Sequence, residues 1–285
     1  MSALRIERHG RIQEWVAAEI GAFTAVGLNY EIVEPKVDTA SLPRVYGKLI
    51  DAESLAQDSA YRVFVLESSD QNVVSTSHWA VSTAIGSGYG VSWPHAYSIM
   101  PAGIYVAPGS KIRSVADLRS TEIVVGRHSG SHFSAVYALQ DMVPAAELRL
   151  KLVAGRSNRL RQLLEDQSLA GSMYGLEAYT VEQKGYRKIL DTSFIVSFML
   201  VNQPAVESVD KYFRALRLAQ NAIDENPNKY KHYITRGFPE DVRKLVDVHA
   251  CGIGERLVFD PYPKELLART RDWVVARGIL PYSWL

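Results

Sequence analysis

Cysteine is almost missing from this chain: Cys251 is the only one among 285 residues. No disulfide can form within the chain, and no cysteine-based zinc site can be built. An excess of one charge is missing too. The 32 Lys and Arg against 31 Asp and Glu leave a formal net charge of +1, without the basic surplus a general nucleic-acid binder carries. No apolar run approaches the roughly 18 uninterrupted residues that would suggest a membrane span. The start, MSALRIERHG, shows no basic segment followed by an apolar stretch and a small-residue cleavage site. As it stands the chain is expected in the cytoplasm, or in the periplasm if a signal peptide has been removed. There is no internal repeat, low-complexity tract, Walker A element or G-x-S-x-G elbow.

What is there is ordinary globular material, with 47% hydrophobic and 22% charged residues. The length suits two domains, or one with a split core. Strand-like and helix-like patterns alternate. Leu4 to Arg8 alternates like a strand, Ile12 to Phe23 has helical spacing, and Leu28 to Val33 reads as a second strand. A helix is expected within Glu34 to Ser59 and a third strand at Tyr61 to Leu66. Val73 to Ser77 runs into a helix from His78. The run SIMPAGIYV, residues 98 to 106, is broken by Pro101 and Gly103 and resembles a strand crossing between lobes. Ser114 and Asp117 have capping-box spacing. Strands at Glu122–Val125, Leu148–Val153, Leu169–Tyr174, Lys188–Leu190 and Phe194–Val201 alternate with helices after Ser131, Arg156 and Glu177. Pro204 suits the first turn of a long amphipathic helix, and a final helix spans Pro263 to Arg277. This alternation predicts parallel sheets with helices on both faces, and a ligand cleft between them.

Several stretches carry a resemblance. IQEWVAAEIGAFTAVGLNYEIVE, GIYVAPGSKIRSVADLRSTEIVVGRHSGSHFSAVYAL, LVNQPAVESVDKYFRALRLAQNAIDENP and DWVVARGIL occur in an order similar to that of type II periplasmic-binding-protein-like chains. The group they resemble is that of the sulfonate-, taurine- and nitrate-binding proteins and their thiamine-pyrimidine-synthase relatives. The resemblance implies a two-lobed α/β fold, each lobe a mainly parallel sheet flanked by helices. It implies a discontinuous first lobe, residues 1–100 and 195–285, and a second lobe of residues 101–194. It further implies hinge closure on a small anionic organic ligand, and an ABC permease partner if the protein is exported. Some relatives are enzymes, so a cytoplasmic decarboxylase-, desulfinase- or hydrolase-like lyase acting on a small acid is the alternative. The cysteine-rich motif of the synthase and the first-lobe cysteine of the desulfinase are absent. No cofactor and no metal are expected.

The candidate ligand residues fall in five places. Arg127, His128, Ser129, Gly130, Ser131 and His132 follow a buried strand and open a helix, whose first N–H groups and partial positive charge suit an anion. Arg127 would add a fixed charge. Ser75, Thr76, Ser77 and His78 stand at another strand-to-helix turn, and His9 and Arg11 follow the first strand. Tyr174 and Glu177 end a second-lobe strand, and His95 and Tyr97 precede the first crossover. His78 and His132 are the candidates for proton transfer. Each has a plainer reading: an N-cap turn, a packed core ring or a solvated side chain. His128 and His132 have i, i+4 spacing but straddle Gly130, which argues against a metal pair. Cys251 reads as a buried structural thiol.

Overall fold

The computed structural model describes residues 2–8, 11–33, 46–50, 70–86, 88, 90–126 and 129–277, with backbone alone at 46–50. The expected strand at Tyr61 to Leu66 lies outside these residues.

Two sheets form the body. The first holds β4 (Val73–Ser77), β5 (Val91–Met100), β11 (Phe194–Leu200) and β12 (Arg256–Val258), in the order β12-β5-β11-β4. Beside it, β1 (Leu4–Glu7) pairs in parallel with β2 (Tyr30–Val33), and Asn72 N donates to Arg5 O at 2.8 Å. The alternating burial of β1 follows from its sequence: Leu4 and Ile6 are buried, Arg5 and Glu7 are not. The second sheet has the order β10-β6-β9-β7-β8-β3. Its members are β3 (Tyr46–Ile50), β6 (Ala102–Val106), β7 (Glu122–Val125), β8 (Arg149–Val153), β9 (Ala170–Tyr174) and β10 (Arg187–Asp191). Ile123, Val124 and Val125 have no exposed surface, as central strands covered on both faces require.

The helices are α1 (Gln13–Glu19), α2 (Ala22–Ala25), α3 (His78–Gly86), α4 (Gly130–Leu139), α5 (Arg156–Glu165), α6 (Leu176–Gln183), α7 (Val206–Glu225) and α8 (Lys264–Ala276), with single turns between them. Helix α7 buries Val209, Tyr212, Phe213, Leu216, Ala219 and Ile223 along one stripe, against α1 and α2. Helix α8 packs on α3.

The two-lobed α/β arrangement is as expected, but the pairing within the sheets is mixed rather than mainly parallel. Among the described residues every pair in the first sheet is antiparallel, and in the second only β7–β8 and β7–β9 are parallel. The cause is the crossover. Residues 98–106 are two strands parted at Pro101, which lacks the N–H a continuous ladder needs, so β5 ends in one sheet and β6 starts in the other. The chain returns through β10 and β11 against both. Three further expectations change. Tyr46–Ile50, expected to be helical, is a strand paired with β8, in a segment expected to belong to the first lobe. The helix over Ile12 to Phe23 is broken where Gly21 takes φ +69°, a conformation open to glycine. Helix α7 starts at Val206 with Ala205 as N-cap, so Pro204 lies just outside it.

Phe198 on β11 is fully buried between the sheet and α7, meeting Phe213 edge to face at 5.0 Å. Phe198→Ala should lower the unfolding free energy by about 3–5 kcal/mol. Val206→Ala, at an exposed position of α7, should change it by less than about 0.5 kcal/mol. Urea denaturation of the two variants checks both values.

Candidate ligand site between the two sheets

Strands β8, β7 and β9 lie side by side in parallel, and each runs directly into a helix: β8 into α5, β7 into α4, β9 into α6. Three helix amino termini therefore gather at the carboxyl edge of one sheet, where α/β proteins place ligands. They meet a cavity of about 170 Å³. Gly130, Arg156, Gly175 and Leu176 line it at the three helix starts, with Tyr174 and Tyr179 beside them. The opposite wall comes from the first sheet and its loops: Arg11 and Ile12 after β1, Ser75, Thr76 and Ser77 where β4 meets α3, and Ile253, Gly254 and Glu255 before β12. Met100, Phe194 and Val196 of the crossing strands form the floor. Among the described residues no N-cap side chain bonds the first turn of α4, α5 or α6, which leaves leading N–H groups for solvent or a ligand. At α4 the approach is close: a Cβ on Gly130 would stand 2.3 Å from the Phe194 ring. That is why glycine opens this helix.

Two arginines face each other across the cavity. Arg11 is buried. Its Nη1 donates to Ser75 Oγ at 2.6 Å and lies 3.8 Å from Glu255 Oε1, while Nη2 bonds Glu14 and Tyr212. Burial works against its charge, but the carboxylates of Glu14 and Glu255 outweigh it and hold the proton more firmly than usual. Arg156 keeps 30% of its side chain exposed. Its Nε donates to both Glu177 oxygens, at 3.1 and 3.0 Å, and its Nη2 to Oε2 at 2.6 Å. The guanidinium carbon lies 4.9 Å from the Tyr174 ring and 4.7 Å from that of Phe238. Two rings and a carboxylate thus fix its plane. Among the described residues nothing hydrogen-bonds Nη1, which leaves that nitrogen for a ligand. Glu177 is fully buried and also takes Arg159 Nη2 at 2.8 Å. Glu255 is 8% exposed and accepts from Ser98 Oγ through Oε1. Burial raises its pKa, against the pull of Arg11 and Ser98.

The expected site residues divide accordingly. Arg11, Ser75, Thr76, Ser77, Gly130 and Tyr174 line the cavity. Glu177 holds Arg156 from behind. Ser129 and Ser131 turn to their own loop: their hydroxyls lie 2.7 Å apart, and Ser131 Oγ accepts from Gly126 N at 3.0 Å. His9, Arg127 and His128 lie outside the described residues. Neither candidate for proton transfer lines the cavity. His132 is buried and stacks on Phe133. His78 is buried with its Nδ1 at 2.8 Å from Thr270 Oγ1 and 2.9 Å from Tyr262 OH, and burial lowers its pKa to about 3. It belongs to the contact between α3 and α8. His95 is exposed beside Trp93, and Tyr97 packs on Tyr262. Cys251 is buried as a thiol whose pKa is pushed up to about 11. Arg156, Tyr179 and Glu255 escaped the sequence reading. Arg156 carried one readable signal, as the first residue of a helix directly after a strand and a glycine.

The neutral His78 sets a pH dependence. Its folded pKa, about 3, lies below the unfolded value near 6.5, so its contribution is complete above pH 6.5 and is lost as the pH falls towards 3. Between pH 7 and pH 4 the wild type should lose about 3 kcal/mol more than a His78→Gln variant. Urea unfolding at the two pH values measures the difference.

No family model matches the chain, and no curated protein does. Solved structures do. The alkanesulfonate-binding protein SsuA from Xanthomonas axonopodis pv. citri, bound to MOPS, superposes with TM-score 0.67 at 15% identity, over 99% of this chain and 95% of that one. The Candida albicans CA3427 gene product, with the generic periplasmic-binding-protein fold, gives 0.62 at 14%, over 99% and 92%. The desulfurization enzyme DSZB gives 0.62 at 12%, over 100% and 96%. At these identities the likeness is one of fold, shared here by binding proteins and an enzyme. Two sheets joined by crossing strands, with a cavity between them at the helix starts, make this chain a two-lobed protein of the periplasmic-binding-protein fold.

Proposed function

We propose that the chain is a solute-binding protein that closes its two lobes, residues 1–100 with 195–285 apart from the strand at 46–50, and residues 101–194 with that strand, on a small organic anion such as a sulfonate or carboxylate. The observation that carries this reading is the meeting of three uncapped helix starts and the open Nη1 of Arg156 at one cavity. Among the described residues around that cavity the ionised side chains cancel: Arg11, Arg156 and Arg159 stand against Glu14, Glu177 and Glu255. The preference for an anion therefore comes from the helix termini, each worth roughly half a positive charge, and from the free nitrogen. Thr76 and Ser77 supply hydroxyls opposite. Sulfonate-binding proteins of the same fold support the ligand class. Lines for closure are given by the two crossings, which run side by side: Thr192 N donates to Ala102 O at 3.1 Å, and Ala102 N to Ser193 Oγ at 3.3 Å. Bending at this narrow pair would move one sheet against the other. A periplasmic location and an ABC permease as partner accompany this reading. Among the described residues no helix is long and apolar enough to cross a membrane.

The second reading is a lyase or hydrolase acting on a small acid, and the desulfurization enzyme of like fold is the observation behind it. With His78 and His132 away from the cavity, proton transfer there would fall to Glu255 or Tyr179.

A thermal-shift screen of sulfonates, carboxylates and phosphonates, followed by calorimetry and recovery of each hit, decides between the two. Binding predicts a ligand recovered unchanged, and catalysis one consumed. Arg156→Ala should weaken every hit by roughly 10- to 100-fold, the value of a hydrogen bond to a charged group. Hits whose affinity is the same in this variant would contradict the assignment.

A further inference from the structure

A second cavity, of about 230 Å³, shares Phe194 as a wall with the first. It opens among α3, α8, α4 and the returning strand β11. Trp79, Ile99, Tyr137, Phe194, Ile195 and Leu266 make its walls apolar. Three of these are aromatic, with ring centres 5.6 Å apart for Trp79 and Tyr137 and 6.2 Å apart for Trp79 and Phe194. An apolar cavity of about 150 Å³ is enough to hold benzene. Among the described residues its lining has no carboxylate, and its one cationic side chain, Arg269, is exposed.

One polar atom in this lining is unused. His78 borders the cavity. Thr270 Oγ1 lies 2.8 Å from its Nδ1, and Tyr262 OH 2.9 Å from the same nitrogen. The single hydroxyl proton of Thr270 goes to Leu266 O at 2.7 Å, so Thr270 Oγ1 accepts from Nδ1. The ring is neutral at pH 7, because burial lowers its pKa to about 3. Its one proton therefore sits on Nδ1, and Nε2 is a bare lone pair. Among the described residues Nε2 has no hydrogen bond, and unlike Nε2 of His132 it is not shut off from solvent. The open space that His78 lines is this cavity.

We propose that this cavity is a second binding site, for a small neutral phenol whose ring lies among Trp79, Tyr137 and Phe194 and whose hydroxyl donates to His78 Nε2. The site goes beyond the anion reading and stands without it. The wall rings select a flat apolar body. The lone pair selects a donor, because a guest lacking one would drive water from Nε2 and leave it unpaired. A phenol keeps its proton at pH 7, since its pKa of about 10 lies well above that of this imidazole. The contact is a hydrogen bond between neutral groups. With no carboxylate in the lining, an ammonium compound finds no counter-charge there.

Phenol and toluene test this, because they have nearly the same shape and differ in the donor. Titration of the wild type with each at pH 7, followed by ¹⁵N NMR of the histidine rings, reads affinity and place together. Phenol should bind at least about 5-fold tighter than toluene, the value of one hydrogen bond, and should move the Nε2 signal of His78. A smaller preference would overturn the hydrogen bond and with it the class of ligand. Phenol that binds and leaves the His78 signals unmoved would overturn the site, as would no binding by either compound. All these outcomes leave the anion reading to its own test at Arg156. The comparison is made within the wild type and needs no variant to fold.

Discussion

Charges at the junction of the two sheets are buried, and a buried charge must be answered. Arg11, Arg156 and Arg159 are answered by Glu14, Glu177 and Glu255. Removing one member would strand another away from water, at a cost of several kcal/mol. This mutual dependence ties the loop after β1 to the loop before β12 on one side of the cavity, and the starts of α5 and α6 to each other on the other side. Arg11 illustrates the tie. Its guanidinium touches Ser75 of β4, Glu14 of α1 and Tyr212 of α7, and lies over Phe198 of β11. An arginine with this many partners positions the wall of the cavity and has little left to give a ligand. Arg156, held only along one edge by Glu177, keeps an edge to offer.

Neutral side-chain charge does not make the cavity neutral. The three parallel strands β8, β7 and β9 are the reason. Parallel neighbours each leave the sheet at the same edge, so the helices that follow them begin there together and their N–H groups point one way. The antiparallel strands around them serve another purpose. β6 and β10 on one side, and β5 and β11 on the other, are the strands that carry the chain between the sheets, and only antiparallel pairing lets an outgoing and a returning strand run side by side. A mixed second sheet is thus the form that supplies both a ligand edge and a double crossing.

The sequence shows this arrangement unevenly. Strand and helix positions were legible wherever burial imposes a clean period, as in Leu4–Glu7 or along α7. Pro101 announced the crossing because its missing N–H has one structural meaning there. Pairing direction was not legible, since an apolar strand such as Glu122–Val125 reads alike in either orientation. Nor was Tyr46–Ile50, five residues whose apolar spacing fits one turn of helix as well as an edge strand. For the site, turns that follow strands were the useful signal, and they found Arg11, Ser75 to Ser77, Gly130 and Tyr174. The histidines misled for a physical reason. A ring at a helix start is drawn inward by packing as readily as it is offered to a ligand, and His78 and His132 both went into the core. Glu255 could not be found from its neighbours in sequence, because its partners Ser98 and Arg11 are 157 and 244 positions away.

The most direct measurement is a crystal structure of the protein with the tightest-binding acid from a screen. The account predicts the anionic group between the two sheets, with an oxygen about 3 Å from Arg156 Nη1 and others facing the first-turn N–H groups of α4, α5 or α6. A ligand seated elsewhere, such as the groove between α3 and α8 lined by Val81, Ile85 and Leu267, with Arg156 untouched, would contradict it.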